Sequence, residues 1–303
     1  MTDHGRISVI VNEKAGRTNA EQPRRDMLRE RFASVGLSVD IHGPRAGQTL
    51  SDVARAALDD GADMLVAAGG DGTICAVAGV CHGADVPMGV IPQGTFNYFA
   101  RGLGISQEVD GAIATLATGT LRDIRLGEVN GRVFLNNASI GLYPAILERR
   151  ETIYRRWGRS RAAAYWSVIA TLLWLKRALP LRLDIDGRQE RLVTPLAFVA
   201  NSAYQLDQFN LHGADHIRSG DFALFLSPNG AQVDLIRAAV GLAAGMARKD
   251  EEFLLRHGRD IVLSTGRSRV LVARDGEKEI MRDPLRFAFR DRPLRVVAPA
   301  EVS

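Results

Sequence analysis

The stretch Leu65-Val-Ala-Ala-Gly-Gly-Asp-Gly-Thr73 decides the fold of this chain. Its apolar start predicts a strand buried on both faces, and its glycines predict a tight turn, since glycine tolerates positive φ and close backbone approach. Thr73 suits the N-cap of a helix over Ile74–Val80. A strand, a glycine turn and a helix N-terminus together direct N–H groups at one point, which is typical of phosphate binding. Asp71 would repel phosphate unless a metal ion lay between them; the alternative is a plain turn with an incidental acid.

The composition is that of an ordinary globular protein. The chain has 303 residues, 46% hydrophobic and 24% charged, which favours about two domains with a large core. Its net charge of +4 suits phosphate ligands or an anionic membrane surface, and is too small to favour nucleic acid as a partner. Cys75 and Cys81 are the only cysteines, so the sequence predicts neither a disulfide framework nor a zinc site and favours a cytoplasmic location.

Strands and helices alternate through the first part of the chain. Predicted strands at Arg6–Val11, Leu37–His42 and Pro87–Ile91 flank the glycine-turn strand, with helices between them. This βαβα order predicts a parallel sheet covered on both faces, with ligands bound beyond the carboxyl ends of the strands. The polar loop residues expected at that edge are Asn12, Thr49, Asp71 and Thr95.

The pattern changes near Arg122, where alternating strands begin. Three hairpin dipeptides, Asn130-Gly131, Asp186-Gly187 and Asp275-Gly276, predict antiparallel pairs, the first joining Leu121–Val129 to Arg132–Ala138. We therefore predict an α/β domain over residues 1–121, a mainly antiparallel β-sandwich over 122–290, and a tail over 291–303 that returns to the first domain.

One segment interrupts the second domain. Residues 144–179 are predicted to form a helical insert that carries several arginines and the apolar run Tyr165–Leu175 with a tryptophan near each end. Such a helix suits peripheral contact with the inner face of a membrane. The alternative is a helix that buries its apolar face on the sandwich.

The motifs together resemble the diacylglycerol kinase catalytic-domain superfamily, which includes bacterial diacylglycerol kinases and relatives of sphingosine and ceramide kinases. The resemblance extends from about Ile7 to Pro299. The motifs that carry it are Asn12 to Gly16, Gly69-Gly-Asp-Gly-Thr73, Gly94-Thr-Phe-Asn97, Phe99-Ala-Arg101, Asn137-Ala-Ser-Ile-Gly141 and Asp275-Gly-Glu277. Similar glycine turns occur in NAD kinases and phosphofructokinases, so the combination is more specific than the turn alone.

The resemblance implies an ATP-dependent lipid kinase of phospholipid metabolism, with ATP bound between a nucleotide-binding domain of the phosphofructokinase and NAD kinase type and the sandwich. Mg²⁺ would lie near Asp71, and the acceptor would be a diacylglycerol- or sphingoid-like hydroxyl. Glu277 matches the proton acceptor of the family, with Asp275 beside it. The residues implied to contact ATP are Asn12, Glu13, Lys14, Ala15, Gly16, Thr49, Gly69, Gly70, Asp71, Gly72, Thr73 and Thr95.

The sequence departs from the family pattern at two places, which concern the structural Mg²⁺ site and the identity of the acceptor lipid. Tyr98 stands where the family usually has Asp, and Arg218-Ser-Gly-Asp221 stands where it often has Asp-Asp-Gly. We therefore assign no residues to a structural Mg²⁺ site. Rival interpretations are an NAD kinase-like enzyme and a non-catalytic lipid- or nucleotide-binding regulator, and the oligomeric state, including a homodimer, is left open.

Two acidic residues at the third hairpin, Asp275 and Glu277, are candidates for the general base. Alternation along a strand would place Asp275 and Glu277 on the same side, where two carboxylates near a triphosphate would favour proton uptake by one of them. A plain hairpin explains Asp275-Gly276 completely but leaves Glu277 without a role. We expect Glu277 to be the general base and Asp275 to be the alternative.

Overall fold

The computed structural model describes residues 5–12, 21–141, 178–227 and 253–300. Contacts divide the chain into two units, the first made of Met1–Leu126 with Arg290–Ser303 and the second of Gly127–Phe289. The predicted helical insert lies almost entirely outside the described residues, and so does its whole Tyr165–Leu175 run.

The first unit is built on one six-stranded sheet, sheet A. Its strands, numbered in chain order, are β1 (Ile7–Val11), β2 (Val39–His42), β3 (Met64–Gly69), β4 (Met88–Pro92), β5 (Thr120–Ile124) and β18 (Leu294–Ala298). Their order across the sheet is β2-β1-β3-β4-β18-β5. Strands β1 to β4 are parallel, and β18 runs parallel to β4 but antiparallel to β5. The last described strand, β18, thus belongs to the same sheet as the first strand, β1.

Five helices connect the strands of the first unit. They are α1 (Glu21–Ser34), α2 (Leu50–Asp59), α3 (Asp71–Ala84), α4 (Tyr98–Gly102) and α5 (Val109–Thr118). Helix α2 buries Val53, Ala54 and Ala57, whose spacing places them on one face, and it packs against α3 and β1. Helix α5 packs on β4 and β18.

Strands β1 and β3 are interior strands of sheet A and are buried along their whole length. Leu65 and Val66 have no exposed surface, so each stabilises the fold by about 1.5–3 kcal/mol through burial. A parallel strand covered by helices on both faces has to be apolar throughout, which explains why these strands read as continuous hydrophobic runs.

The second unit contains two six-stranded antiparallel sheets. Sheet B consists of β6 (Gly127–Val129), β7 (Arg132–Phe134), β9 (Leu179–Ile185), β10 (Arg188–Thr194), β14 (Ile261–Ser264) and β17 (Leu285–Phe289). Sheet C consists of β8 (Asn137–Gly141), β11 (Leu196–Ala200), β12 (Phe222–Leu226), β13 (Leu254–Gly258), β15 (Arg269–Arg274) and β16 (Glu277–Arg282). Their orders are β10-β9-β14-β17-β6-β7 and β13-β12-β11-β8-β15-β16. Two short helices, α6 (Ala203–Gln208) and α7 (Ala214–Arg218), lie between β11 and β12 in the chain.

All three predicted hairpin dipeptides form two-residue turns. Both residues of each turn have positive φ: 48° and 79° at Asn130-Gly131, 49° and 85° at Asp186-Gly187, and 46° and 86° at Asp275-Gly276. These values define type I′ turns, whose twist matches that of the flanking strands and which favour Asn or Asp followed by Gly. The dipeptides therefore predicted the hairpins correctly.

The core of the second unit lies between sheets B and C. The ring of Phe134 stacks on Phe222 at 5.7 Å and meets Phe287 edge-on at 6.2 Å, which joins residues of both sheets in one buried cluster. A smaller cluster on sheet C includes Leu206 of α6 and Ala214 of α7. The predicted fold class, an α/β domain with a parallel sheet and an antiparallel β-sandwich, is confirmed.

Two predicted strands are wrong in their extent, and Arg132–Ala138 is one of them, since its two ends belong to β7 of sheet B and β8 of sheet C. Leu121–Val129 is two strands: β5 pairs with β18 in sheet A, whereas Gly127–Val129 pairs with β7 and β17 in sheet B. Alternation along the sequence does not reveal this break, because both halves are extended and only their partners differ. Within the described ranges, every helix is too short or too polar to cross a bilayer.

Candidate functional site

Three loops meet at the carboxyl edge of sheet A. They follow β1, β3 and β4, and parallel strands place their carboxyl ends at the same edge. The Asn12 N–H donates to the Ala68 carbonyl at 3.2 Å, and the Gln93 N–H donates to the Gly69 carbonyl at 2.8 Å. The backbone thus ties the three loops to one another, with the glycine turn in the middle.

The glycines of the turn are required for space and not for positive φ. Gly70 has φ −86° and ψ −178°, so our expectation of positive φ was wrong. A Cβ on Gly94 would lie 2.6 Å from the Gly70 Cα, and one on Gly70 would lie 3.2 Å from the Gly94 Cα. A Cβ on Gly69 would collide with the Thr73 side chain. Two backbone segments therefore pass each other where no side chain fits.

Helix α3 begins at Asp71, with Gly70 as N-cap, and not at Ile74 with Thr73 as cap. Thr73 lies inside the first turn with only 3% of its surface exposed, and its Oγ1 accepts a hydrogen bond from Asn12 Nδ2 at 3.2 Å. Because Gly70 has no side chain, no cap competes for the first-turn N–H groups. Those groups and the helix dipole favour an anion at this point.

Asp71 connects the starts of two helices. Its half-buried carboxylate accepts a hydrogen bond from the N–H of Phe99, in the first turn of α4, at 3.4 Å. At the N-terminus of a helix a carboxylate is also stabilised by the dipole. The structure therefore gives Asp71 a local structural role beside the metal-bridging role that the sequence predicts.

Asn97 shapes the loop after β4. It adopts left-handed φ 50° and ψ 42° and is 4% exposed. Its Oδ1 accepts from the Gly94 N–H at 2.9 Å, while its Nδ2 donates to the Gly94 carbonyl and to Gln107 Oε1, each at 3.0 Å. Thr95, between these residues, remains exposed. Asn97 was absent from the predicted site residues, although Asn is the side chain that best tolerates positive φ in such a loop.

Tyr98 has a local packing role. Its ring stacks on Phe96 at 5.4 Å with an interplanar angle of 11°. The Phe96 side chain is about half exposed. An aromatic pair thus stands beside the glycine loop, at the position where the resemblance leads us to expect a carboxylate.

Thr49 is the N-cap of α2. Its Oγ1 accepts from the Asp52 N–H at 3.2 Å and donates to Asp52 Oδ2 at 2.7 Å, while its own N–H donates to the same oxygen at 3.0 Å. These hydrogen bonds from Thr49 hold the pKa of Asp52 below its usual value. A capping box explains Thr49 without a ligand. The other predicted loop residues, Glu13, Lys14, Ala15 and Gly16, lie outside the described residues.

Asp275 belongs to the second unit and is bound to the backbone there. Its carboxylate accepts hydrogen bonds from the N–H groups of Leu135 at 2.7 Å, Asn136 at 2.8 Å and Asn137 at 3.2 Å, and the residue is only 8% exposed. The Asp275 N–H donates to the Asn137 carbonyl at 3.0 Å. Asp275 therefore fastens the β15–β16 turn to the chain between β7 and β8.

Glu277 has a different environment from Asp275. It is the first residue of β16 and is exposed. Asp275 lies in the turn with φ 46°, so strand alternation does not relate the two residues. The prediction that both carboxylates share one side was wrong: one is fastened to buried backbone and the other is exposed to solvent.

Buried amides surround the Asp275 contact. Asn137 Nδ2 donates to Gln205 Oε1 of α6 at 3.0 Å, and Asn201 Nδ2 donates to the Leu135 carbonyl at 3.1 Å. Asn137 is 5% and Gln205 7% exposed. Sequence reasoning missed Asn201 and Gln205, because neither stands in a motif and only the fold brings them to β8.

Comparison with known proteins agrees with this architecture. Residues 6–129 match the profile of the diacylglycerol kinase catalytic domain. A diacylglycerol kinase of Bacillus subtilis is 27% identical over 302 residues, covering 98% of this chain and 97% of its own. A diacylglycerol kinase of Staphylococcus aureus is 33% identical over 184 residues, which cover 60% of this chain and 58% of that enzyme.

Solved structures share the whole fold. The crystal structure of a diacylglycerol kinase from Bacillus anthracis superposes with a TM-score of 0.68 at 17% identity, covering 98% of both chains. A second Bacillus anthracis structure reaches 0.74 at 19% identity, again over 98% of each chain. With the matched domain and the full-length relative from Bacillus subtilis, the comparisons show that residues 6–129 resemble the diacylglycerol kinase catalytic domain and that the chain shares the fold of these solved structures.

Proposed function

We propose that this protein is an ATP-dependent lipid kinase that transfers the γ-phosphoryl group of ATP to a lipid hydroxyl. The observation that carries the proposal is the start of α3, where an N-cap without a side chain places the helix N-terminus at the carboxyl edge of a parallel sheet. Relatives named diacylglycerol kinase support phosphoryl transfer to a lipid.

The residues present fit a nucleotide triphosphate. The close approach of Gly70 and Gly94 leaves backbone in place of side chains, and an anion can reach N–H groups only where side chains do not shield them. We propose that the amides of Gly70 to Thr73 bind phosphate oxygens and that Asn12 holds the Thr73 hydroxyl in place. Thr95 and Thr49 are exposed loop residues that would contact the rest of the nucleotide.

A bound Mg²⁺ would neutralise phosphate charge and draw electron density from the transferred group. Asp71 suits a role in holding that ion, directly or through water, because its carboxylate stands at a helix start where phosphate also binds. This chain itself supplies positioning and charge stabilisation, which account for most of the rate enhancement in phosphoryl transfer.

We propose Glu277 as the proton acceptor for the lipid hydroxyl. Its carboxylate is exposed, so it can receive a proton and release it to water. Asp275 is a poorer candidate, because three backbone N–H groups already bind its two oxygens. Asp275 acts instead as a positioning residue for the turn that carries Glu277.

We also propose that the Tyr165–Leu175 run and its arginines bring the protein to the membrane that holds its lipid substrate. Replacing Trp166 and Trp174 with Ser should weaken binding to vesicles of anionic lipid while the affinity for ATP is unchanged. If wild type ignores such vesicles at low salt, this membrane role is refuted.

Incubation with γ-labelled ATP, Mg²⁺ and a total bacterial lipid extract tests the main proposal. We expect label in the organic phase, and chromatography against phosphatidic acid and phosphorylated sphingoid standards identifies the acceptor. A parallel reaction with NAD tests the rival small-molecule kinase. Label confined to the NAD reaction, or label in neither reaction with folded protein that binds ATP, would refute lipid phosphorylation.

A further inference from the structure

Two histidines and an aspartate of the second unit come together at the edge of sheet C opposite to the one that carries Glu277. His216 lies in α7, Asp221 directly precedes β12, and His257 lies in β13. The pairing of β12 with β13 places Ala223 opposite His257, which brings Asp221 close to that ring. Residues far apart in sequence thus converge at the edge strand of sheet C.

The three side chains are within coordinating reach of one another. One ligand atom from each residue lies within 4.8 Å of the others. The imidazole rings of His216 and His257 stack at 3.7 Å with an interplanar angle of 9°, and His257 Nδ1 lies 2.9 Å from Asp221 Oδ2. The His257 side chain is 48% and the Asp221 side chain 23% exposed, so an ion can enter from solvent.

We propose that His216, Asp221 and His257 form a binding site for a divalent transition-metal ion, with Zn²⁺ as the best match. Two imidazole nitrogens and one carboxylate oxygen are a ligand set typical of Zn²⁺, and three protein ligands leave a fourth position for water. Imidazole pairs select Zn²⁺, Ni²⁺ or Cu²⁺ over Mg²⁺, which prefers oxygen ligands. This site is therefore distinct from the site of the Mg²⁺ ion that phosphoryl transfer requires.

Closing the site requires only side-chain movement. Ligand atoms at zinc–ligand distances near 2.1 Å on a tetrahedron are about 3.4 Å apart, which is shorter than the present spread by roughly 1 Å. Stacked rings present parallel lone pairs, so the two imidazoles must rotate until their nitrogens converge. His216 and His257 are both partly exposed and have room to do so.

One neighbour limits the affinity. Arg259 Nε lies 3.4 Å from Asp221 Oδ1 and brings a positive charge next to the ion. His257 contacts the other oxygen, Oδ2. Asp221 can therefore coordinate the metal through Oδ2 while Oδ1 retains its contact with Arg259. We therefore expect binding of moderate strength, with a dissociation constant on the order of 1–10 µM.

A bound ion would connect α7 to the outer edge of the sandwich. Strand β13 has β12 as its neighbour in sheet C and no strand of the described chain on its other side. Coordination through α7, the start of β12 and β13 would hold this edge together, and ligand binding to the folded state raises its stability with the logarithm of the free metal concentration once that concentration exceeds the dissociation constant.

Titration of the tag-free, chelator-treated full chain with Zn²⁺ by calorimetry tests the site, and Co²⁺ provides absorption bands that report tetrahedral coordination. We expect one ion per chain, no competition from millimolar Mg²⁺, and a rise in melting temperature with Zn²⁺. His216→Asn and His257→Asn should each weaken binding at least tenfold. His212→Asn, an exposed histidine close in sequence, is the matched control and should bind as wild type does.

Circular dichroism of each variant without metal verifies that it is folded, so loss of binding cannot be mistaken for loss of structure. No saturable Zn²⁺ binding by wild type would overturn the proposal. Equal affinity of His216→Asn and wild type, or equal weakening by His212→Asn, would overturn it too. None of these measurements involves ATP or lipid, so their failure is independent of the kinase assay.

Discussion

The pair Asp275→Asn and Glu277→Gln separates a structural acid from a catalytic one. Both substitutions remove one charge and keep the shape of the side chain, and the residues are two positions apart. Asp275 is buried and bound to three backbone N–H groups, whereas Glu277 is exposed. We expect Asp275→Asn to lower stability and Glu277→Gln to lower turnover.

The size of the stability loss follows from the contacts of Asp275. Asparagine has one acceptor oxygen, which can keep the N–H groups of Asn136 and Asn137, so its –NH₂ group faces the N–H of Leu135. A buried N–H left without an acceptor costs about 1–3 kcal/mol. The two remaining bonds lose their charge assistance, about 1 kcal/mol each, and the easier burial of a neutral amide offsets part of this. The net loss should be about 2–4 kcal/mol.

Urea unfolding followed by circular dichroism measures this loss. Asp275→Asn should lower the midpoint by roughly 1 M, because the slope for small proteins is about 1–3 kcal/mol per M. Glu277→Gln should stay within about 0.5 kcal/mol of wild type, as exposed substitutions do, while lipid phosphorylation falls about 10²–10⁴-fold. If Asp275→Asn unfolds like wild type and is catalytically dead, Asp275 is the base and the assignment of roles is refuted.

Three further predictions concern the first unit. Gly94→Ala should weaken ATP binding at least tenfold, because the new Cβ meets backbone. Gly79→Ala has open space in α3 and should stabilise the helix by up to about 1 kcal/mol. Equal ATP binding by both variants would refute the steric argument. Asp71→Asn should remain folded but lose phosphoryl transfer, and near-normal turnover of the folded variant would contradict metal bridging. The lowered pKa of Asp52 contributes stability above pH 3.8 that is lost as pH falls through the folded-state pKa. Thr49→Ala should therefore be less stable than wild type at neutral pH, and the difference should shrink below that range to the part due to the lost N-cap bond to the Asp52 N–H. A difference that does not change with pH would contradict this linkage.

The structural Mg²⁺ site and the proposed Zn²⁺ site differ in the residues that support them. The sequence leaves a structural Mg²⁺ site without residues, because Ser219 and Tyr98 stand where the resemblance leads us to expect acids. The structure brings together His216, Asp221 and His257 instead, with ligands that favour Zn²⁺. Histidines scattered along a sequence do not predict a metal site. Asp221 and His257 are brought together only by the pairing of β12 with β13.

Local chemistry was sufficient to predict much of the fold. A continuous apolar run before Gly69 marks a strand covered on both faces, and Asn-Gly or Asp-Gly pairs favour type I′ turns because their backbones tolerate positive φ. Such features depend on neighbours in the chain. They also placed Asn12 and Thr95 in loops that follow the strands of one parallel sheet, whereas Asp71 is the first residue of α3.

Contacts between distant residues were decided by the tertiary structure. Sequence reasoning correctly required glycine at position 70 for close backbone approach but wrongly expected positive φ, and only the fold shows that the approaching backbone is that of Gly94 in another loop. It named Asp275 as the alternative to Glu277 for the base, whereas backbone 138 to 140 residues away binds the Asp275 carboxylate. Turn chemistry acts within a few residues and can be read from the sequence, but burial and hydrogen-bond partners exist only once the sheets have packed.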